Sequence, residues 1–328
     1  VAIPYVVGFD VGGTRIKCGA VLHDGTLTAT DIVPSGFAME PDRFMTLAID
    51  CIRNIDQMLD DPPHCIALGF PGAVDPDEGI VLLPGKLKLE NFPVVSLLRD
   101  RLGIPVVADN DGRLAILAEA RYGKAQLQRW AVSVTIGTGV GSGVMLGGQI
   151  LRDPHLQFGT QASHIIQDSS SDRLCITNNR GTPNILCSAT ALAIAVRDGL
   201  ARGLPSVLFD RYDHDPHSID FEAVIEGVKQ GDKLCLDALK RWTTHLGNFL
   251  VSVAHMYAPE VIILGGGAIA ASAYFLPQVQ AYVARHVFRY PADEPVPIVC
   301  SALGDYAGVY GAAALAWEYM ERQGITPS

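Results

Sequence analysis

Tyr5-Val6-Val7-Gly8-Phe9-Asp10 runs into Val11-Gly12-Gly13-Thr14 and then into Arg15-Ile16-Lys17-Cys18-Gly19-Ala20-Val21-Leu22. Two apolar runs separated by a glycine break predict a strand, a tight turn and a second strand, with an Asp and a Thr at the turn. Glycine leaves the turn's backbone amides uncovered. Amides that converge on one concavity form an anion nest suited to phosphate. The same order of elements returns later. Trp130–Ile136 reads as a strand, Gly137-Thr138-Gly139-Val140-Gly141-Ser142-Gly143 as the glycine turn, and Val144-Met145-Leu146 as the start of the return strand. Two such units, each opening one half of the chain, suggest an internal duplication.

Outward from these hairpins, strands and helices alternate. Met45–Leu59 carries apolar residues at helical spacing, Cys65–Phe70 is a short apolar strand closed by Pro71-Gly72, and Val106-Val107-Ala108 is another strand. That strand ends at Asp109-Asn110-Asp111, with a helix expected over Arg113–Arg121. Residues 168–184 are polar and loop-like, and helical patterns fill Thr190–Met256. Glu260–Leu264 is a strand running into Gly265-Gly266-Gly267, Val296–Cys300 is the last strand, and Tyr306–Tyr319 is an Ala- and Gly-rich helix. Alternation of this kind predicts an α/β protein with covered sheets. The expected division is a small lobe over residues 1–112, completed by the C-terminal helix within 306–328, and a larger nucleotide-binding lobe over 113–305.

With 328 residues, 48% of them hydrophobic, the chain has material for about two cored domains of ~150 residues and is not disordered. A net charge of −10 argues against nucleic acid or an acidic membrane surface as the main partner. It leaves room for phosphate held by main-chain amides. Seven cysteines at irregular spacing, without a CxxC pair, predict reduced thiols and a cytoplasmic protein. No signal-peptide pattern opens the sequence, and the apolar stretch Val261–Pro277 is glycine-interrupted and short of the ~20 residues a membrane span needs.

Glycine turns at 12–14 and 137–143 can hold one polyphosphate between two lobes, with a third cluster at 265–267 between a strand and a helix. Tight turns with no ligand are the alternative. The spacing excludes the dinucleotide fingerprint, because Ser142 occupies the position of its last glycine, and no P-loop or protein-kinase motif set occurs. Asp10 and Asp111 each stand at a strand end. Asp10 beside a phosphate nest can orient hydrated Mg²⁺, and Asp111 can accept the proton of an attacking hydroxyl. For Asp10 the alternative is an Asx turn; for Asp111 it is the N-cap of the following helix.

Taken together these motifs resemble the ROK family of bacterial sugar kinases, and the resemblance covers nearly the whole chain. Asp10-Val11-Gly12-Gly13-Thr14-Arg15-Ile16-Lys17 resembles the family's first phosphate motif, and Gly69-Phe70-Pro71-Gly72-Ala73-Val74-Asp75 its sugar-side GxPGxVD loop. Asn110-Asp111 resembles the pair that binds sugar and supplies the base, residues 137–143 the second phosphate motif, and Leu264-Gly265-Gly266-Gly267 the adenosine motif. The resemblance implies a two-lobed actin-like ATPase (ribonuclease H-like) fold with a duplicated sheet-and-helix core. It also implies a homodimer or homotetramer, and transfer of the γ-phosphoryl group of MgATP to a hexose hydroxyl, the primary 6-hydroxyl. Asp111 is then the base, and Gly72, Asn110, Asp111, Gln161, His164 and Asn184 contact the sugar. Asp10, Gly12, Gly13, Thr14, Lys17, Gly137, Thr138, Gly139, Gly265, Gly266 and Gly267 hold the nucleotide, with Asp10 reaching Mg²⁺ through water. Because no winged-helix segment precedes residue 5, the chain resembles the family's kinases rather than its repressors.

The sequence departs from the family where sugar and zinc are bound. The family's ExGH is Gln161-Ala162-Ser163-His164 here, and its CxCGxxGCxE is Cys175-Ile176-Thr177-Asn178-Asn179-Arg180-Gly181-Thr182-Pro183-Asn184. Thr177 and Thr182 replace two thiolates, and Thr hydroxyls are poor zinc ligands, so no structural zinc is expected. Gln161 and Asn184 replace two acids, keeping hydrogen bonding while removing charge. Asp109 replaces a common Glu and reads as a minor change. The damaged segment also motivates a second expectation, a sugar-binding or regulatory protein with weak or no turnover.

Overall fold

The computed structural model describes residues 4–36, 39–59, 61–85, 87–288, 291 and 294–325. The opening hairpin forms as expected: Tyr5–Val11 (β1) pairs antiparallel with Arg15–Leu22 (β2), from Tyr5 opposite Leu22 to Val11 opposite Ile16. Leu27–Pro34 (β3) extends the sheet. Pro41–Leu59 (α1) buries Phe44, Met45, Ala48, Cys51, Ile52 and Ile55, a three- and four-residue spacing that puts one stripe on the core. Then come Ile66–Phe70 (β4), a short hairpin of Ala73–Asp75 (β5) and Ile80–Leu83 (β6), Val94–Leu102 (α2), Val106–Asn110 (β7) and Asp111–Tyr122 (α3).

The second half opens with Ala131–Ile136 (β8), Val140–Leu146 (β9) and Gln149–Ile150 (β10). A helical stretch follows: Pro183–Leu186 (α4), Ala189–Ala201 (α5), Phe209–His214 (α6), Phe221–Lys229 (α7) and Lys233–Tyr257 (α8). Side-chain caps start three of these helices: Ser188 accepts from the amide of Ala191, Asp220 from Ala223 and Asp232 from Cys235. Val261–Gly265 (β11), Leu276–His286 (α9), Ile298–Cys300 (β12) and Ala307–Arg322 (α10) complete the chain.

Two five-stranded sheets result, ordered β3-β2-β1-β4-β7 and β10-β9-β8-β11-β12. In each, a hairpin and its extension occupy one side and two parallel strands the other, which is the duplication expected from the repeated hairpins. By packing, the chain divides into two compact units. One comprises Val1–Arg129, Gly143–Thr160 and Ala302–Ser328; the other comprises Trp130–Ser142 and Gln161–Ser301. Residues 113–129, expected from sequence in the second lobe, lie in the first unit, because α3 is unbroken from Asp111 and packs on α10. Among the described residues no helix is long and apolar enough to cross a membrane.

In the first unit, strand alternation separates two cores. Tyr5, Val7, Phe9 and Val11 face the cluster that α1 covers, whereas Val6 faces the cluster built on α10. On the α10 side the contact is backbone to backbone: a Cβ at Gly8 would lie 2.3 Å from the carbonyl oxygen of Val309 and 2.9 Å from the amide nitrogen of Ala313. Ala312, Ala313, Ala314 and Ala316 are fully buried, so the helix is kept thin along this face. Gly8→Ala must push α10 off the sheet. We expect it to cost about 1–3 kcal/mol, the usual range for overpacking a core, seen as a lower urea midpoint; an unchanged midpoint would show that α10 yields freely.

Candidate functional site

In the first unit the site begins at the end of β1. Gly12 donates its amide to the carbonyl of Arg15, closing the hairpin, and Ser35 props the turn from outside, its hydroxyl on the carbonyl of Gly12 and its amide on that of Thr14. No described residue accepts from the amides of Gly13 or Thr14, which suits a nest. Asp10 is partly buried beside this turn. Burial pushes its carboxyl up against the opposing pull of Lys17, and no described residue donates to it. An oxygen donor without a protein partner fits the hydrated shell of a hard cation such as Mg²⁺. A Cβ on Gly308 would sit 2.5 Å from the Asp10 carboxyl carbon, so that position keeps the space beside Asp10 open. Lys17 places its ammonium on the carbonyl of Asp305 at 2.6 Å, over the ring of Tyr306.

The second candidate region of this unit is the junction of β7 and α3. Asn110, rather than Asp111, caps the helix, its Oδ1 accepting from the amides of Gly112 (2.9 Å) and Arg113 (3.2 Å). Capping by Asp111, the alternative left open by the sequence, is thus taken over by its neighbour. The Asn110 side-chain amide donates to the carbonyl of Gly72 (2.8 Å) and to Asp111 Oδ1 (3.0 Å). Gly72 needs its φ of +85° and its missing side chain, because a Cβ would strike the carbonyl of Leu83. Asp111 Oδ1 also takes the amide of Gly112 at 2.8 Å, while no described residue donates to Oδ2. The residue is solvent-accessible, yet the protein mass around it, helped by the charge of Asp10, raises its carboxyl to about 7 against the pull of the Gly112 amide, Asn110 and Arg113.

Sequence reasoning undervalued what lies beneath. Asp109 has a structural part that its sequence position did not reveal. It is fully buried, paired with Arg113 at 2.6 Å and with Arg152 at 2.6 Å. The signal was present, since Asp109 and Arg113 stand one helical turn apart, but nothing local marks Arg152.

In the second unit the glycine turn is shorter than expected. β9 starts at Val140, so the turn is Gly137-Thr138-Gly139, and Gly141 lies within the strand. Glycine there marks close approach rather than a bend: a Cβ on Gly141 would lie 2.5 Å from Thr135 Oγ1. Gly143, also counted in the turn from sequence, belongs to the same strand and approaches the carbonyl of Gly112 in the first unit's own fold. Gly137 donates to the carbonyl of Gly139, and Thr138 is exposed at the tip. Asn184 is engaged here, its Oδ1 accepting from the amide of Val140 at 3.0 Å. Gly265 ends β11, Gly266 has φ +83° and packs against the backbone of Ile136, and Gly267 opens a 3₁₀ segment, Gly267–Tyr274. This brings the clusters at 137–139 and 265–267 to adjacent strand ends, since β8 and β11 are parallel neighbours.

Gln161 and His164 bracket a 3₁₀ turn, Ala162–His164, with the His164 amide on the carbonyl of Gln161. Cys175 Sγ is 2.9 Å from Thr177 Oγ1. Burial raises the Cys175 thiol, but hydrogen bonds from Thr177 and His164 outweigh it and lower the value to about 6. His164 Nδ1 and Thr182 Oγ1 are buried without a partner among the described residues. One thiol, one imidazole and two hydroxyls do not fit a structural zinc site. Among the described residues another group has candidate ligand atoms within 4.8 Å of one another: Cys18, Asp31 and Cys51. Both of its thiols are fully buried, and Cys18 is held well above its ordinary range by its hydrogen bond to Cys51 and by burial.

The ROK family model matches residues 6–319, a span that takes in both glycine hairpins, the Gly72 loop, the β7–α3 junction and most of α10. The chain is similar to the glucokinase of Thermotoga maritima, 27% identical over 94% of this chain and 96% of that one. Its fold is shared with a ROK family glucokinase from Streptomyces griseus solved in complex with glucose and AMPPNP (TM-score 0.83, 24% identity, 96% of this chain and 99% of that one). It is shared equally with a ROK family transcriptional regulator, a homologue of the E. coli MLC protein (TM-score 0.85, 23% identity, 98% of this chain and 80% of that one). Kinases and a regulator thus stand on one scaffold, and with the family model matched over residues 6–319 this chain belongs to the ROK family and has its actin-like ATPase fold.

Proposed function

We propose that the chain is an ATP-dependent sugar kinase that moves the γ-phosphoryl group of MgATP to a hydroxyl of a hexose or hexose derivative, the primary 6-hydroxyl. The observation that carries this is Asp111: one carboxylate oxygen is held by Asn110 and the Gly112 amide, the other has no donor among the described residues, and the carboxyl is raised to about 7. That is the condition of a general base, oriented by one oxygen and available through the other. The acceptor hydroxyl gives its proton to Asp111 Oδ2 as its oxygen bonds the γ-phosphorus. The bond from that phosphorus to the bridging oxygen breaks, and ADP leaves with the electron pair. Asn110, Gly72, Gln161 and His164 hold the sugar. The amides at 12–14 and 137–139, with Lys17, take the phosphates, and 265–267 takes the adenosine. Asp10 orients the hydrated Mg²⁺ that arrives with ATP. The glucokinase relatives, one of them solved with glucose and AMPPNP, support this assignment.

A second reading has its own observation. Asn184, expected on the sugar, spends its carboxamide oxygen on Val140, and Gln161 is neutral, so the sugar side lacks two charges found in the family. A sugar-responsive regulator without turnover would tolerate this. A hexose panel with MgATP separates the two: ADP should match sugar phosphate, and Asp111→Ala should lower kcat by at least ~100-fold, the lower range for loss of a general base. Sugar-induced thermal stabilisation without ADP release, across the whole panel, supports the regulator instead.

Because Asp111 must be ionised to accept a proton, kcat/KM should rise with pH through a limb near 7 and level off above it. A profile flat across that limb counts against the assignment.

The donor set at His164, Cys175, Thr177 and Thr182 leads us to expect less than one equivalent of zinc in the purified protein by elemental analysis. A full equivalent overturns this, and Cys18→Ser then tells whether the metal sits with Asp31 and Cys51 or in the 164–182 segment.

A further inference from the structure

We propose that Arg113, Asp109 and Arg152 form a positioning cluster that holds Asn110 and Asp111 in their working geometry, so that Arg113 and Arg152 set the turnover of the acceptor base without touching the substrate. The inference rests on the kinase reading for its consequence and on geometry for its substance.

Asp109 is buried between two guanidinium groups. Its Oδ1 accepts from Arg113 Nε (2.6 Å) and from the amide of Asn110 (2.7 Å), and its Oδ2 accepts from Arg152 (2.6 Å). Arg113, also buried, spends its other nitrogens on the carbonyls of Val74 (3.2 Å) and Leu156 (3.0 Å). Val74 lies two residues beyond Gly72, whose carbonyl receives the Asn110 side chain. The bonds therefore close a ring: Asn110 to Gly72, along β5 to Val74, across Arg113 to Asp109, and back to Asn110. Every bond of the ring ends on a residue within two positions of Asp111 or on the 72–74 segment that Asn110 and Arg113 hold. Asn110 has few rotamers left in such a ring, and Asn110 is what fixes Asp111 Oδ1.

A buried carboxylate with two cations is expensive to desolvate, and replacing such a group by apolar residues is often neutral for stability. A cluster of this kind, placed directly behind the reacting acid, is better accounted for by the precision it imposes. Misplacement by about 1 Å can cost ~100-fold in rate.

Arg152 is the position to test, because about a third of its side chain is exposed, it borders a cavity of about 330 Å³ within the first unit, and its replacement leaves Asp109 still paired with Arg113. In Arg152→Met, kcat should fall roughly 10- to 100-fold with KM for ATP unchanged, and Arg152→Lys should recover part of the loss. Amide hydrogen exchange supplies a readout that needs no activity. In Arg152→Met the amides of Gly112 and Arg113, which rest on Asn110 and Asp111, should exchange at least several-fold faster, while those in the middle of α10 are unchanged. If wild-type enzyme turns over and Arg152→Met keeps both kcat and this protection, the cluster is merely structural and the proposal is overturned. If wild type shows no turnover, the kinase reading fails, and exchange alone decides the cluster: faster exchange upholds it, unchanged exchange removes it.

Discussion

The junction where β7 ends and α3 begins is the constraint on which the candidate site of the first unit depends. A helix start leaves backbone amides without partners, and something must satisfy them. Here Asn110 does so with its oxygen while its amide group reaches both Gly72 and Asp111. One side chain thereby ends a strand, starts a helix, fastens the Gly72 loop and orients the carboxylate beside it. Because Asn110 takes the cap, no described residue donates to Asp111 Oδ2.

The strands that carry this junction are held to the helix behind them by backbone contact. Gly8 and the alanines of α10 allow a separation that any side chain would forbid, and Gly311 meets the carbonyl of Leu114 on α3 in the same way. Such close-packed layers transmit position well, since packed interiors yield little. Asp10 near the end of β1 and Asp111 at the start of α3 are then fixed by the sheet rather than by their own loops, and the charge of Asp10 raises the cost of ionising Asp111.

An acidic chain proposed to take a polyanion looks contradictory only if phosphate must be met by side-chain cations. Glycine turns answer with main-chain amides, which carry no net charge and cannot be titrated. In the second unit the turn at 137–139 is braced by Asn184, a residue assigned to the sugar by resemblance, whose carboxamide oxygen accepts from the amide of Val140. In the same segment side-chain hydrogen bonds link Cys175 and Asn179 to the hydroxyl of Thr177.

The sequence by itself determined the strands, the glycine hairpins, the α/β class and the family, because these depend on local alternation, on turn chemistry and on short motifs that travel together. It also placed Asp10, Asn110 and Asp111 at strand ends. It misjudged the second turn, since glycines at 141 and 143 mark close approaches to Thr135 and Gly112, partners distant in sequence or in another element. The hairpin of β5 and β6 and the helices α2 and α9 went unread for want of strong periodicity. Only the tertiary structure decided that Asn110 rather than Asp111 is the cap, that Asn184 serves the turn, and that Asp109 lies between Arg113 and Arg152. A partner 43 residues away in the chain leaves no local pattern, and whether a carboxylate is free to act depends on which neighbours the fold brings within hydrogen-bond reach.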